Sequence, residues 1–376
     1  LYLSPKTIKI YGNGKLSTGK RLIMTKLNVA VVFGGYSSEH EVSINSAINI
    51  INSLSKEKYN IIPIYINPMG SWFLHEGSTD SIKTADFEKF GTPCQLSLDR
   101  QNKGLLRING DKVKRIPVDV AFPVLHGKFG EDGTIQGLFE MSGIKYVGCG
   151  VMASAIAMDK AMAKLVAGSL GINQVKYIVF DSNDLEDFDK ALSIVRYKLG
   201  YPCFVKPLRT GSSVGISKVK NKKELVKAVE LAISHDDSVI IEKMVEGREL
   251  ECAVLGTGGE DTIVSGVGEL IPGAEFYDFD AKYNNPDSKT ILSPKIDKAV
   301  VNKIKDASLK IFKAIGAKGL SRVDFFLEES SGDVIFNELN TIPGFTDISM
   351  YPMLMREAGI DSQRLMDRLI EIAIQE

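Results

Sequence analysis

The chain has 376 residues, 44% hydrophobic and 25% charged, with a formal net charge of −1; that is length enough for two or three domains with sizeable cores, and too even a charge to hold nucleic acid or an anionic membrane by bulk electrostatics. No apolar run approaches the ~20 residues that a membrane-spanning helix requires. Cys94, Cys149, Cys203 and Cys252 lie far apart without a CxxC pair, and the four histidines are scattered, which argues against a zinc site or a disulfide framework and for reduced thiols in a cytosolic protein.

Leu1 to Arg21 is polar and basic with no apolar signal core, so residues 1–23 are expected to be a disordered upstream extension with no secretory signal. Leu27–Phe33 reads as a buried strand ending at Gly34-Gly35. A helix follows, with capping-box spacing at Ser38 and Glu41 and apolar residues at Val42, Ile44, Ala47 and Ile48. Tyr59–Ile66 is the next strand, which makes a βαβ opening and predicts a parallel sheet. Pro117–His126 is a further strand running into the loop HGKFGEDG, and Thr134–Ser142 is a helix. These elements form a first domain over residues 24–148. The glycine-rich loops 34–39 and 126–133 sit at strand ends, where α/β sheets bind ligands. Neither is a GxGxxG or Walker loop, and a tight turn without a ligand is the alternative for each.

Residues 149–245 read as a smaller α+β domain. It has a helix over Ala153–Ser169 containing Asp159 and Lys160, a strand Tyr201–Pro207 that carries Lys206, and a returning strand Ile216–Val219. The intervening TGSSVG offers backbone N–H groups and the hydroxyls of Ser212 and Ser213, and glycine lets such a loop close on anionic oxygens. With Lys206 directly before it, this loop is read as a phosphate site. A helix over Asn221–Ser234 and a strand over Val239–Val245 close the domain. Residues 246–376 form the third. It begins with the strand Glu249–Gly256 and includes Ile271–Thr290, a long Gly-, Pro- and Asn-rich stretch with four aromatics that is expected to be a substrate lid. A helix over Ile296–Ile315 and a C-terminal amphipathic helix, Ser362–Gln375, are also predicted.

Ser321–Gly344 reads as a β-hairpin of two apolar runs around Glu329-Ser330-Ser331-Gly332. Strand alternation puts Arg322 and Asp324 on one face, and puts Val334, Phe336, Glu338 and Asn340 together on one face of the second strand. If the polar sets coincide, Asp324, Glu338 and Asn340 form an all-oxygen set beside Arg322, the kind of set Mg²⁺ takes together with substrate phosphates. An exposed hairpin face carrying ordinary charges is the alternative. The second strand leads directly into the Pro-Gly turn of Thr341–Phe345.

The stretches FGGYSSEHEVS, LHGKFGEDGTIQG, MDK, FVKPLRTGSSVGISKV, EKMVEGREL, DFDAKYN, SRVDFF and NELNTIPGFTDISMYP, in that order from Leu27 onward, resemble the ATP-grasp superfamily and, within it, the D-alanine–D-alanine ligases of bacterial wall synthesis. The resemblance implies a three-domain α/β fold: an N-terminal parallel α/β domain, then two α+β domains that hold ATP between them. It implies that Glu242, Lys243, Val245 and Glu249 contact adenine and ribose, that Lys160, Lys206 and Ser213 serve the phosphates, and that Asp324, Glu338 and Asn340 hold two Mg²⁺ ions, with Mn²⁺ as a replacement. It implies an acylphosphate of a first D-alanine, attacked by the amine of a second. Arg322 and the Gly344 N–H would be the oxyanion hole, and Glu39 would orient the first amine in a network with Ser212 and Tyr283. His126, Lys282, Ser349 and Met350 would line the substrate site. It also implies a cytoplasmic enzyme of peptidoglycan precursor synthesis, commonly a homodimer, that binds neither nucleic acid nor membrane. D-alanine–D-serine and D-alanine–D-lactate ligases are the near alternatives. They often carry arginine where this chain has Met350 and phenylalanine where it has Val214, so D-alanine is favoured here. A nucleotide-binding module without chemistry is the alternative of another class.

Overall fold

The computed structural model describes residues 25–83, 91–185, 187–271 and 289–375; the extension 1–23 and most of the expected lid lie outside the described residues. In chain order the first layer comprises β1 (Leu27–Gly34), α1 (His40–Ser53), β2 (Tyr59–Ile66), β3 (Trp72–His75), α2 (Thr79–Lys83), β4 (Gly91–Leu96), β5 (Leu105–Asn109), β6 (Lys112–Ile116), β7 (Val120–Val124), α3 (Thr134–Ser142) and β8 (Lys145–Tyr146). Its sheet has the order β6-β5-β4-β3-β2-β1-β7-β8. β2, β1, β7 and β8 run parallel, as the βαβ reading predicts, while β3 to β6 extend the sheet antiparallel.

Next come α4 (Val151–Met158), α5 (Lys160–Ser169), β9 (Tyr177–Asp181), α6 (Phe188–Lys198), β10 (Cys203–Pro207), β11 (Ser217–Val219), α7 (Lys222–Ile233) and β12 (Ser238–Lys243). Their antiparallel sheet has the order β11-β10-β12-β9. The chain ends with β13 (Gly247–Gly256), β14 (Ile263–Ile271), β15 (Lys289–Leu292), α8 (Lys298–Ala314), β16 (Gly319–Glu328), β17 (Val334–Asn340), α9 (Met350–Glu357) and α10 (Ser362–Gln375). This third sheet, β15-β14-β13-β16-β17, is antiparallel throughout.

One core joins the first and third sheets. Val29, Val31 and Phe33 of β1 share it with Ala253 and Leu255 of β13, and Tyr351, Leu354, Leu365 and Leu369 of α9 and α10 lie in the same cluster. The broad apolar stripe of α10 follows from being covered on more than one side. Its polar edge is tied down too: Asp367 accepts from Tyr59 Oη at 2.8 Å and from Lys58 Nζ at 2.6 Å.

Three local expectations are corrected. The helix expected over Ala153–Ser169 is two helices, because Asp159 adopts extended backbone and its carboxylate caps the second by accepting from the N–H groups of Ala161 and Met162, both at 3.0 Å. The Ser38/Glu41 capping box does not form. The N-cap of α1 is Glu39, which makes no side-chain cap bond; Ser37 Oγ accepts the Glu39 N–H at 3.1 Å instead and donates to the His126 carbonyl at 2.6 Å. The third correction is a β-bulge in the hairpin. Asp324 pairs with Glu338, but Phe325 pairs with Phe336, so Asn337 is the extra residue. The bulge turns Phe336 into the core beside Phe325, whereas strict alternation would have kept it on the polar face with Glu338.

Candidate active site

The β16–β17 hairpin brings its polar residues together on one face. Arg322 lies opposite Asn340 and Asp324 opposite Glu338, and on the other flank of β16, Glu251 of β13 lies opposite Asp324. Two neighbouring carboxylates on one buried face repel unless a cation divides them. Arg322 does so: it donates from Nε and Nη2 to the two oxygens of Asp324 at 2.8 and 2.6 Å, and its Nε lies 3.0 Å from Glu251. Asp324 is 1% exposed and Arg322 8%. Burial alone would lower the arginine's pKa, but Asp324 and then Glu251 outweigh it and hold the group well above its ordinary value.

Three cavities share this wall. One of about 510 Å³ between the second and third sheets is bordered by Lys206, Glu242, Lys243, Val245, Glu249, Arg322, Asp324 and Glu338. A second, of about 310 Å³, holds Glu39, His126, Arg322, Asn340, Gly344, Ser349 and Met350. A small third, of about 80 Å³, has Glu39, Lys160, Ser212, Ser213, Glu338 and Asn340 on its walls. Arg322, Asn340 and Glu338 each border two of the three, so the hairpin face is where they meet.

In the largest of these three cavities Glu242 is clamped by two lysines, Lys164 at 2.7 Å and Lys206 at 2.6 Å. Burial pushes its carboxyl up, yet Lys164 and Lys206 together bring it down from its ordinary 4.5 to about 2. Lys206 is pulled down by burial and raised further by Glu242, ending above its ordinary value. A depressed carboxylate stabilises the fold above its unfolded pKa and loses that contribution as pH falls through its folded one. The contribution of Glu242 is therefore complete above pH 4.5 and lost as the pH falls to about 2. Glu242→Gln is expected to cost roughly 3–5 kcal/mol at neutral pH, because it leaves Lys164 buried without a counter-charge, and to flatten the acid limb of stability. Urea unfolding of both proteins across pH 2–7 checks this.

Lys160 donates to the Thr210 carbonyl at 2.7 Å at the base of the serine loop. Burial is the first cause that lowers its pKa, with Glu338 opposing and Lys206 reinforcing the shift. Ser212 and Ser213 both have left-handed backbone, at φ 53° and 58°, within a tight loop whose Val214 and Ile216 N–H groups donate to the carbonyls of Gly211 and Ser213, both at 3.3 Å. Ser212 Oγ is buried without a hydrogen-bond partner among the described residues, so no direct bond joins it to Glu39. The Glu39 carboxylate itself lies between two glycines. A Cβ at Gly127 would stand 2.8 Å from its Oε2 and one at Gly211 3.2 Å, so glycine leaves the room it needs.

His126 is buried, its Nδ1–H donating to the Ile342 carbonyl at 2.9 Å and its Nε2 lying 3.4 Å from Ser46 Oγ. Ser349 Oγ accepts the Thr346 N–H at 2.9 Å and packs over Gly344, where a Cβ would lie 2.8 Å from it. Met350, 5% exposed, lies flat against Gly268. Lys282 and Tyr283 lie outside the described residues.

The oxygen set fits a hard divalent cation. Asp324 already accepts three hydrogen bonds, two from Arg322 and one from Asn340 Nδ2 at 2.9 Å, and of a carboxylate's roughly four acceptor positions one remains. Asn340 turns its amide nitrogen to Asp324, which leaves its carbonyl oxygen for a ligand. Among the described residues no group of three or more His, Cys, Asp or Glu is arranged to hold a metal by itself.

Sequence reading missed Lys164, Glu251 and Glu131. Lys164 is 1% exposed on a helix face with Ala163 and Ala167, and a lysine within an alanine stripe was the available signal. Glu251 alternates with Glu249 along β13, but its partner depends on which strand lies beside it. Glu131 acts through residues more than two hundred positions away.

The family model described as D-ala D-ala ligase N-terminus matches residues 28–149, and the one described as D-ala D-ala ligase C-terminus matches residues 166–371. A D-alanine–D-alanine ligase of Caldicellulosiruptor bescii is 46% identical over 353 residues, 94% of this chain and 96% of the relative. Among solved structures, the VanG D-Ala:D-Ser ligase from Enterococcus faecalis is similar at TM-score 0.84 and 41% identity, covering 93% of this chain and 100% of that one. The D-alanine–D-alanine ligase from Coxiella burnetii is similar at TM-score 0.80 and 34% identity, covering 93% and 96%.

Proposed function

The chain belongs to the D-alanine–D-alanine ligase family, and from that premise we propose that its three joined cavities are one active site, in which the large cavity takes ATP and the other two take D-alanine and the reacting phosphate. The enzyme is a ligase that joins two D-alanines at the expense of ATP, supplying the dipeptide of peptidoglycan precursors. The observation that carries the assignment of roles is the common wall: Arg322, Asn340 and Glu338 each face two of the three cavities.

In this reading Lys243, Val245 and Glu249 flank the adenosine, with Glu242 fixing Lys206 rather than offering its own carboxylate. Lys206, Lys160 and the left-handed serine loop neutralise the phosphates, where positioning and electrostatics are the main catalytic terms. Asp324, Glu338 and Asn340 would hold Mg²⁺, two ions with Mn²⁺ as a replacement, which when bound offset charge on the transferring phosphoryl group. Glu39 holds the ammonium of the first D-alanine while its carboxylate is converted to the acylphosphate. The amine of the second D-alanine then attacks the acyl carbon, Arg322 with the Gly344 N–H takes the oxyanion, and the adduct collapses to the amide as its C–O bond to phosphate breaks and inorganic phosphate leaves. The domains are assigned as 24–148, 149–245 and 246–376, following the breaks between the three sheets, and the enzyme as a cytoplasmic homodimer. No helix among the described residues is long and apolar enough to cross a membrane.

Met350 favours D-alanine as the second substrate: its buried thioether offers a methyl contact and gives a hydroxyl no donor. The VanG structure makes D-serine the reading to compare. Apolar pockets reject an added hydroxyl by only about 10²-fold, so slow D-alanyl-D-serine formation is expected. Phosphate release from ATP tests the function. It is expected only when D-alanine is present; release without any amino acid, or none at all, would contradict a ligase.

A further inference from the structure

We propose that Glu131 is the positioning residue of the oxyanion hole. The inference rests on the ligase reading above. The segment that presents the Gly344 N–H is held by side chains from the first layer. Ile342 donates its N–H to Glu131 Oε1 at 3.1 Å and its carbonyl accepts from His126 at 2.9 Å. Phe345 donates its N–H to Ser46 Oγ at 3.1 Å and its carbonyl accepts from Asn49 at 2.9 Å. Both residues flanking the turn are thus pinned from across the cleft. Glu131 is the anchor that also borders both smaller cavities.

Its second oxygen, Oε2, accepts the Gly127 N–H at 2.9 Å. One carboxylate therefore ties the HGKFGEDG loop to the oxyanion loop, with an acceptor at each end and an N–H donor facing each. This chemistry requires glutamate: glutamine has a single acceptor oxygen, so it must lose one of the two bonds and turn an NH₂ toward a donor. Charge-assisted bonds to backbone N–H groups are also about twice as strong as neutral ones. A loop released at Ile342 moves Gly344, two residues on, relative to the developing oxyanion, and a misplacement of about 1 Å costs on the order of 10²-fold in rate.

The test compares wild type with Glu131→Gln, with kcat counted per ATP-binding site so that only folded protein contributes. Wild type must first yield the dipeptide; if it does not, the ligase reading fails and takes this inference with it. In Glu131→Gln, kcat is expected to fall by roughly 10- to 10²-fold while KM for ATP and D-alanine stays within about twofold, the pattern of a contact made only in the transition state. A phosphinate analogue of the tetrahedral adduct of two D-alanines is expected to lose affinity by the same factor. If Glu131→Gln does not fold, Glu131→Asp, one methylene too short to bridge both N–H groups, is read in the same way. A variant with wild-type kcat, or one that loses thermal stability while its kcat and analogue affinity are unchanged, would overturn the assignment.

Discussion

Replacing Glu338 by glutamine is expected to lower the rate of ligation by roughly 10²- to 10³-fold while leaving the fold intact. The residue is half-buried on β17, opposite Asp324, and borders both the cavity of about 510 Å³ proposed for ATP and the small cavity of about 80 Å³. Asp324 spends most of its acceptor positions on Arg322 and Asn340, and Glu338 is the second carboxylate of the set proposed to hold the cation. A bound divalent ion contributes several kcal/mol of charge stabilisation, and each ~1.4 kcal/mol is a tenfold change in rate. Initial rates at saturating ATP and D-alanine over a range of Mg²⁺ concentrations check this, with a thermal melt to show that the variant is folded. A wild-type rate at low Mg²⁺ would remove Glu338 from the metal set.

Arg322→Gln is expected to damage both activity and stability. As an oxyanion donor, its removal costs roughly 10²- to 10³-fold in kcat. As the cation between Asp324 and Glu251, its loss removes the guanidinium that divides two buried carboxylates on adjacent strands, a penalty of roughly 3–5 kcal/mol. Arg322→Lys separates the two roles. It restores a positive charge and thus much of the stability, but not the planar fork that engages Asp324 through two nitrogens, so its kcat is expected to stay low. Urea unfolding and steady-state kinetics on both variants decide it. A lysine variant with wild-type kcat would show that charge alone suffices.

What the chain order makes legible is the local part of this architecture. Periodicity finds α3 and α10 at their observed ends, and the apolar alternation of residues 321–340 finds the β16–β17 hairpin, whose turn alone would set Asn337 opposite Asp324; the bulge is what brings Glu338 there. Three features escape for physical reasons. The bulge at Asn337 adds a residue without changing composition, so alternation counted past it assigns Phe336 to the wrong face. Asp159 lies in an otherwise helical run, and whether such a residue caps or continues depends on where Lys160 must point. The anchors of the oxyanion loop, Ser46, Asn49, His126 and Glu131, meet it across 211 to 299 residues of sequence, and no local pattern encodes a contact of that range. The family motifs name the residues around the reaction; the geometry adds that Glu242 is held between two lysines and that Arg322 serves two carboxylates.

The central claim is that the wall shared by the three cavities joins two D-alanines. Incubation with ATP, Mg²⁺ and D-alanine, alone and with D-serine or D-lactate, followed by mass analysis of the products, tests it most directly. D-alanyl-D-alanine is expected as the main product, in step with released phosphate, and only minor D-alanyl-D-serine. Phosphate release without dipeptide, or a mixed product that outruns D-alanyl-D-alanine, would contradict it.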